Sequence, residues 1–282
     1  MENSEIVVVG IVKNVEKTIK IDYSRMLESL SSFKKIQWLI VESDSTDNTL
    51  NSLSSIATLD SNFKFITLGS LTNKIENRTE RLAFARNVYL DMINNENRYQ
   101  TCDYVVVSDF NDLNNRITSN SFISCFENLS WSVCCANQKG PYYDIYALRH
   151  NLWSPNDCWK QHSFYRSYHR FPEKALLASI KIRMIKIPTD SQWIEVDSAF
   201  GGIAIYKKFT FKLGRYAGLD ENGDSICEHV PLNLAISEAG HKIMINPKFI
   251  NFRKTDHSNV VGSISLLQRV FRYPFKLLKK LN

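Results

Sequence analysis

The sequence predicts an α/β protein: a mostly parallel central sheet flanked by helices, with a basic amphipathic C-terminal extension. Three observations carry that prediction. Short β-branched runs alternate with amphipathic helical stretches, the pattern of parallel strands joined by crossover helices. Two predicted strands end in acidic, hydroxyl-rich loops, which belong on one edge of such a sheet. The chain has 282 residues, 44% hydrophobic and 23% charged. That is long enough for a large core and too apolar for a disordered or fibrous chain.

The first strand is the run Glu5-Ile-Val-Val-Val-Gly-Ile-Val12, short and bounded by polar residues. Val15, Ile19, Tyr23, Met26, Leu27 and Leu30 then recur at three- and four-residue spacing, one apolar stripe of a helix. Residues 36–41 form a second strand. It opens into Glu42-Ser-Asp-Ser-Thr-Asp-Asn-Thr49, where Ser45 or Thr46 is the expected cap of a second helix. A third strand at 63–68, a helix at 79–95 and a fourth strand at 103–108 follow. The fourth stops at Asp109-Phe-Asn-Asp112.

Beyond that point the pattern is less regular. A strand is expected at 131–136. Residues 140–170 are dense in Tyr and Trp and read as a site wall or loop platform. Gly201-Gly202 allows backbone to approach a ligand closely. A helix at 227–239 and a short last strand at 243–246 complete the pattern. The simplest division is one domain over residues 1–255 and a tail over 256–282.

Charge and motifs exclude several classes. Net charge is +6, and no acid follows Asp256, so the excess lies largely in the tail. No run of about 18 apolar residues exists, so no transmembrane helix is expected. The acidic start does not resemble a secretory signal, so a cytoplasmic location is expected. The six cysteines include no CxxC pair and read mostly as small buried hydrophobes. The phosphate-binding GxxxxGK[ST] and the dinucleotide-binding GxGxxG are absent.

Four groups of residues carry candidate chemistry. Asp109, Asn111 and Asp112 at a strand tip suit a hard divalent cation that holds a diphosphate; the alternative is a turn and helix cap. Glu42 can accept a hydrogen bond from a base N–H, and the hydroxyls after it can meet a ribose. Arg86 can make charge-assisted bonds to a diphosphate, or lie on the surface. Glu228 and His229 stand near a helix start. There Glu228 can be a general base and His229 a metal ligand or diphosphate donor; the alternative for Glu228 is to complement the helix dipole.

In this order the motifs resemble the GT-A class of nucleotide-sugar glycosyltransferases, especially glycosyltransferase family 2. The likeness spans about residues 5–250. It is carried by Val41-Glu42-Ser-Asp-Ser-Thr-Asp47-Asn-Thr49, Ala85-Arg86-Asn87, Asp109-Phe-Asn111-Asp112, and Glu228-His229 with Ser237-Glu-Ala-Gly240. Departures are Glu42 for Asp, Asn111 for the second Asp, and Glu-His for Glu-Asp. The resemblance implies a GT-A sheet and transfer of a sugar from a UDP- or GDP-linked donor to a glycan or lipid-linked acceptor in surface polysaccharide synthesis. It implies Mn²⁺ or Mg²⁺ on Asp109, Asn111, Asp112 and His229, and catalysis by Glu228 and His229. Donor contacts fall on Val9, Gly10, Glu42, Asp44, Arg81, Arg86, Ser108 and Asp109. The segment Gly140-Pro-Tyr-Tyr-Asp144-Ile-Tyr-Ala-Leu-Arg149 resembles fungal capsule-associated mannosyltransferases. It implies that Asp144 and Arg149, with Gly201 and Gly202, face the donor sugar or acceptor, and it leaves a retaining outcome open beside an inverting one.

The tail reads either as a basic amphipathic segment on an anionic membrane, which implies a peripheral position on its inner face, or as a segment packed on the protein. Two other functions compete: a non-catalytic nucleotide-binding domain, and a nucleic-acid-binding protein. The second fits poorly, because strand-tip acids repel phosphate.

Overall fold

The computed structural model describes residues 1–252; the predicted tail lies outside the described residues. Among the described residues, eight strands form one sheet: β1 (Glu5–Val12), β2 (Lys35–Glu42), β3 (Phe63–Thr67), β4 (Tyr104–Ser108), β5 (Val133–Asn137), β6 (Ile194–Val196), β7 (Ile203–Lys207) and β8 (Ile243–Ile250). Their order is β3-β2-β1-β4-β7-β5-β8-β6. The pairs β1–β2, β1–β4, β2–β3 and β5–β8 are parallel. The short strands β6 and β7 run antiparallel to their neighbours, so the sheet is mostly parallel, as expected.

Among the described residues, seven helices connect the strands: α1 (Ile19–Ser29), α2 (Thr49–Leu59), α3 (Arg78–Asn95), α4 (Ser119–Cys125), α5 (Cys158–Tyr168), α6 (Ala175–Ser179) and α7 (His229–Glu238). The two-residue period of the strands divides the core. Ile6, Val8, Trp38, Ile40 and Val106 face α1, α2 and α4, while Val7, Val9, Leu39, Val41 and Val105 face α3 and α7. Both faces are covered, which is why the central strands read as continuous apolar runs.

Two local expectations differ from the structure. The cap of α2 is neither Ser45 nor Thr46. Asn48 holds that position without a side-chain bond, and the Asp47 carboxylate accepts from Thr49 N at 3.0 Å and Thr49 Oγ1 at 2.6 Å. Ser45 and Thr46 instead tie the loop to Asn14. Strand β8 runs through Pro247 to Ile250 rather than ending at 246. Pro247 lies past the last β6 pair, at Ile194–Ile245, and a register shift between Cys135 and Asn137 loosens the β5 ladder opposite it. All six cysteines are buried and unbridged.

Candidate functional site

The carboxyl ends of β1, β2, β3 and β4 meet at one edge of the sheet, and four adjoining cavities run along it. The first, about 380 Å³, is walled by Glu42, Asp44, Ser45, Thr46 and Thr67. It shares Lys13 and Asp44 with a neck of about 340 Å³ that Arg78 and Arg81 also line. The neck shares Ile11, Arg78 and Leu82 with a central cavity of about 520 Å³. Through Tyr143, Asp144 and Tyr146 that cavity adjoins an apolar chamber of about 370 Å³.

The central cavity holds the acids. Arg86, only 3% exposed, projects from α3 and ties two of them together. Its Nε donates to Glu228 Oε1 at 2.9 Å, its Nη2 to Asp109 Oδ1 at 3.4 Å and its Nη1 to Tyr89 Oη at 3.3 Å. The guanidinium also lies 5.5 Å from the Phe200 ring. Arg86 is thus a buried hub between α3, β4 and α7, not a surface cation. Burial raises the Asp109 carboxyl above its ordinary range, against the lowering effect of Arg86.

Asp144 occupies the junction with the chamber, and its Oδ2 accepts from Gly201 N at 2.9 Å. Burial, with the neighbouring charges of Asp109 and Glu228, pushes its pKa up to about 6. His229 opens α7 and stacks on Phe200 with centroids 3.9 Å apart. Burial and the Arg86 charge hold it well below the usual imidazole range, so it is neutral. Both its ring nitrogens are buried without a hydrogen-bond partner, and the residue lines the central cavity.

The loop after β4 is held from below. Asn111 and Asp112 have positive φ values of 121° and 55°, and both backbone N–H groups donate to Asp22 Oδ2, at 2.9 and 3.0 Å. Asp112 is drawn to Arg25 at 3.1 Å and does not line the central cavity, whereas Asp109 and Asn111 do. The four-residue metal set read from the sequence is therefore not assembled: Asp112 stands apart. No three His, Cys, Asp or Glu side chains converge as a metal cage among the described residues. What remains on the wall is the Asp109 carboxylate, the Asn111 amide and the unpartnered His229 imidazole. That donor set would supply up to three protein groups to a cation, with substrate phosphates and water completing its shell.

Other predicted residues hold the scaffold. Val9 and Ser108 are buried in the sheet. A Cβ on Gly10 would clash with the Phe110 ring, so this glycine seats Phe110; Ile11 is the β1 residue that reaches the cavity. Glu42 is 2% exposed; its carboxylate accepts from Ser45 N at 2.9 Å and Thr67 Oγ1 at 2.5 Å. Asp44 accepts from Thr72 N and Oγ1, and Arg81 donates to the Ile75 and Glu76 carbonyls; both still line the neck. Arg149 does not face the cavity. It pairs with Asp157 at 2.9 Å and donates to the Tyr146 and Leu148 carbonyls, pinning the chamber wall.

Gly201 lets backbone approach backbone, while Gly202 makes room for side chains: a Cβ there would meet Leu113, Asn251 and Tyr143 at 3.0–3.2 Å. Gly201 and Gly202 have φ of 75° and 89°. A Cβ on Gly201 would lie 2.8 Å from the Ala136 carbonyl, and Gly202 O accepts from Asp109 N at 2.9 Å. The sequence reading missed Lys13, Arg78 and Asp22. Lys13 follows the tip of β1, where strand-tip logic points. Arg78 lies two turns before Arg86 on one face of α3. Asp22 interrupts the apolar stripe of α1, three residues after Ile19, and an acid on a buried stripe signals a partner.

A scan of protein-family models and a search of curated proteins return no match. Solved structures do match. S. aureus TarS in complex with UDP-GlcNAc aligns with TM-score 0.50 and 12% identity, covering 90% of this chain and 60% of that one. The mannosyltransferase PcManGT from Pyrobaculum calidifontis, in complex with GDP-Man and Mn²⁺, aligns with TM-score 0.49 and 13% identity, covering 89% and 57%. The chain thus spans about three fifths of the length of these structures. Sheet order, strand-tip groove and structural likeness agree that this chain has the GT-A fold.

Proposed function

We propose that the protein is a glycosyltransferase that moves a sugar from a nucleoside-diphosphate donor, UDP- or GDP-linked, to an acceptor hydroxyl. The observation that carries this reading is the continuous groove. Its hydroxyl-rich end at Glu42 and Asp44 suits a nucleoside. Its neck carries Lys13, Arg78 and Arg81, which suit a diphosphate. Its centre gathers Asp109, Asp144 and Glu228 where a sugar would lie. That S. aureus TarS, of the same fold, was crystallised in complex with UDP-GlcNAc supports a nucleotide-sugar donor. A glycan or lipid-linked acceptor in surface polysaccharide synthesis is the context the motif resemblance supports.

Asp109, Asn111 and His229 would hold Mn²⁺ or Mg²⁺ with the donor phosphates; such a cation neutralises charge on the departing diphosphate. Arg86 fixes Asp109 and Glu228 in place. Neutral His229 offers a ring lone pair. Phe200 and Tyr143 line the cavity with aromatic surface.

Two carboxylates can take the acceptor proton. Glu228 is the base implied by motif order; one of its oxygens is bound by Arg86, as one of Asp144's is by Gly201 N. Asp144 borders both the central cavity and the chamber, and its pKa of about 6 suits a base at neutral pH. These observations favour Asp144 as the base, with Glu228 as its electrostatic neighbour.

The test is calorimetric titration of the folded protein with UDP, GDP and CDP, with and without Mn²⁺, followed by Asp109→Ala. Metal-dependent binding of one nucleotide, lost in the variant, is expected. No binding of any nucleotide would overturn the donor-site reading.

A further inference from the structure

Between β5 and β6 the chain leaves the sheet and folds into α5, α6 and short 3₁₀ turns. This excursion is apolar where it meets solvent. Among the described residues, seven of the fifteen exposed large hydrophobics fall within 152–185, although this segment is a small part of the fold. Tyr168 is 78% exposed and Phe164 59%; the two lie one turn apart on α5 with ring centroids at 5.0 Å. Leu152 and Ile182 are exposed as well.

The same segment is cationic. Residues 158–186 hold seven Lys and Arg against one acid, Glu173. Lys160 is paired with Asp220 and Asp224. Arg166, Arg170, Lys174 and Lys186 form no ion pair among the described residues. The Phe171 ring lies beside two cations, with Lys174 Nζ at 4.5 Å and Arg170 at 5.6 Å. Aromatic rings beside unpaired cations are the composition of a surface that enters the headgroup region of a bilayer.

We propose that residues 158–186 dock the protein on an anionic lipid surface, with Phe164, Tyr168 and Phe171 entering the interface and the adjacent cations meeting the headgroups. Charge complementarity selects this occupant. The chain's own C-terminal residues carry Arg269, Arg272, Lys276, Lys279 and Lys280 with no acid after Asp256, so like charges oppose their covering it. A second copy of the same face is repelled for the same reason. Single-stranded nucleic acid is also anionic and stacks on aromatics. The exposed aliphatics Leu152, Ile182 and Ile185 offer no π-face to a base, but they bury readily in an acyl boundary. Trp159, 46% exposed on this surface, also walls the apolar chamber that reaches Asp144. Docking here sets the chamber beside the lipid. The inference is independent of the donor-site reading, and its test does not measure transfer.

The test uses the full chain with its C-terminal residues present in every variant. Sedimentation with vesicles of phosphatidylcholine and phosphatidylglycerol at 70:30, and of phosphatidylcholine alone, reads binding. Preference for the anionic vesicles is expected. The exposed triple variant Phe164→Ser/Tyr168→Ser/Phe171→Ser should weaken it at least tenfold, and so should Arg166→Glu/Arg170→Glu/Lys174→Glu. Tryptophan fluorescence should be quenched by vesicles with brominated acyl chains, and Trp159→Phe should abolish the quenching; the C-terminal 30 residues contain no tryptophan. Equal binding by the wild type and both triple variants, or binding without quenching, would assign the contact to the tail and overturn the proposal. So would absence of binding to either vesicle, or tighter binding to a uridine oligonucleotide than to anionic vesicles.

Discussion

Replacing Arg86 by Met tests the hub of the site. The side chain is enclosed, and its guanidinium serves Glu228 at 2.9 Å and Asp109 at 3.4 Å. At an effective dielectric near 20, each such attraction is about 5 kcal/mol before desolvation is counted. The Glu228 arm is the stronger: it is the shorter, and that side chain is 7% exposed against 34% for Asp109. Removing one partner of a buried pair costs about 3–5 kcal/mol, because the other charge is stranded. We expect a loss of that size in urea unfolding at pH 7. The sign of its pH dependence follows from linkage. In the variant, Asp109 keeps the raising effect of burial and loses the lowering effect of Arg86, so it binds its proton more tightly in the fold than in the unfolded chain. The deficit should therefore grow as pH rises above about 4, the ordinary carboxylate range. Donor-dependent activity should fall with it. A deficit below about 1 kcal/mol, or one equal at pH 4.5 and pH 7.5, would refute the hub.

Three further outcomes follow. With Asp144 as base, kcat/KM should fall as pH drops through about 6, because only the carboxylate accepts a proton; a pH–rate profile should lose this inflection in Asp144→Asn and keep it in Glu228→Gln, and the reverse result assigns the base to Glu228. Gly201→Ala forces a side chain into φ of 75° and against the Ala136 carbonyl, so chemical denaturation should show a loss of about 1–3 kcal/mol, and an effect under about 0.5 kcal/mol contradicts the packing argument. Asp22→Ala removes the acceptor for two backbone N–H groups below the Asp109 loop; nucleotide affinity measured by calorimetry should drop while Asp22→Asn, which keeps an acceptor oxygen, restores most of it. Equal affinity in Asp22→Ala and wild type removes the positioning role.

Much of the sheet was legible in the chain because burial on both faces demands unbroken β-branched runs. Glu5–Val12 has the bounds read from its residues, and β2 and β4 differ by a residue or so. The strand-tip acids were legible because apolar residues anchor a strand and polar ones must leave the core where it ends. Motif order placed Asp109, Arg86 and Glu228 in one site, and all three line the central cavity. Where hydrogen bonding is local, as at Asp47 and Thr49, residue type marked a cap but not which residue would make it.

What tertiary structure decided is how each polar group finds its partner. Arg86 and Glu228 are 142 residues apart, and Asp22 meets the Asn111 loop across 89. No periodicity encodes such pairs; they exist because packing α1, α3 and α7 on one sheet removes water and leaves each charge the nearest opposite group or amide. The same packing turned Arg149 toward Asp157, closed the glycine pair around Asp109 and Asp144, and gave Asp112 to Arg25. The sequence by itself determined the sheet, its reactive edge and the stock of acids there. Which of those acids reach the cavity was decided by the fold, since a side chain's role follows from the distance and dielectric that its neighbours impose.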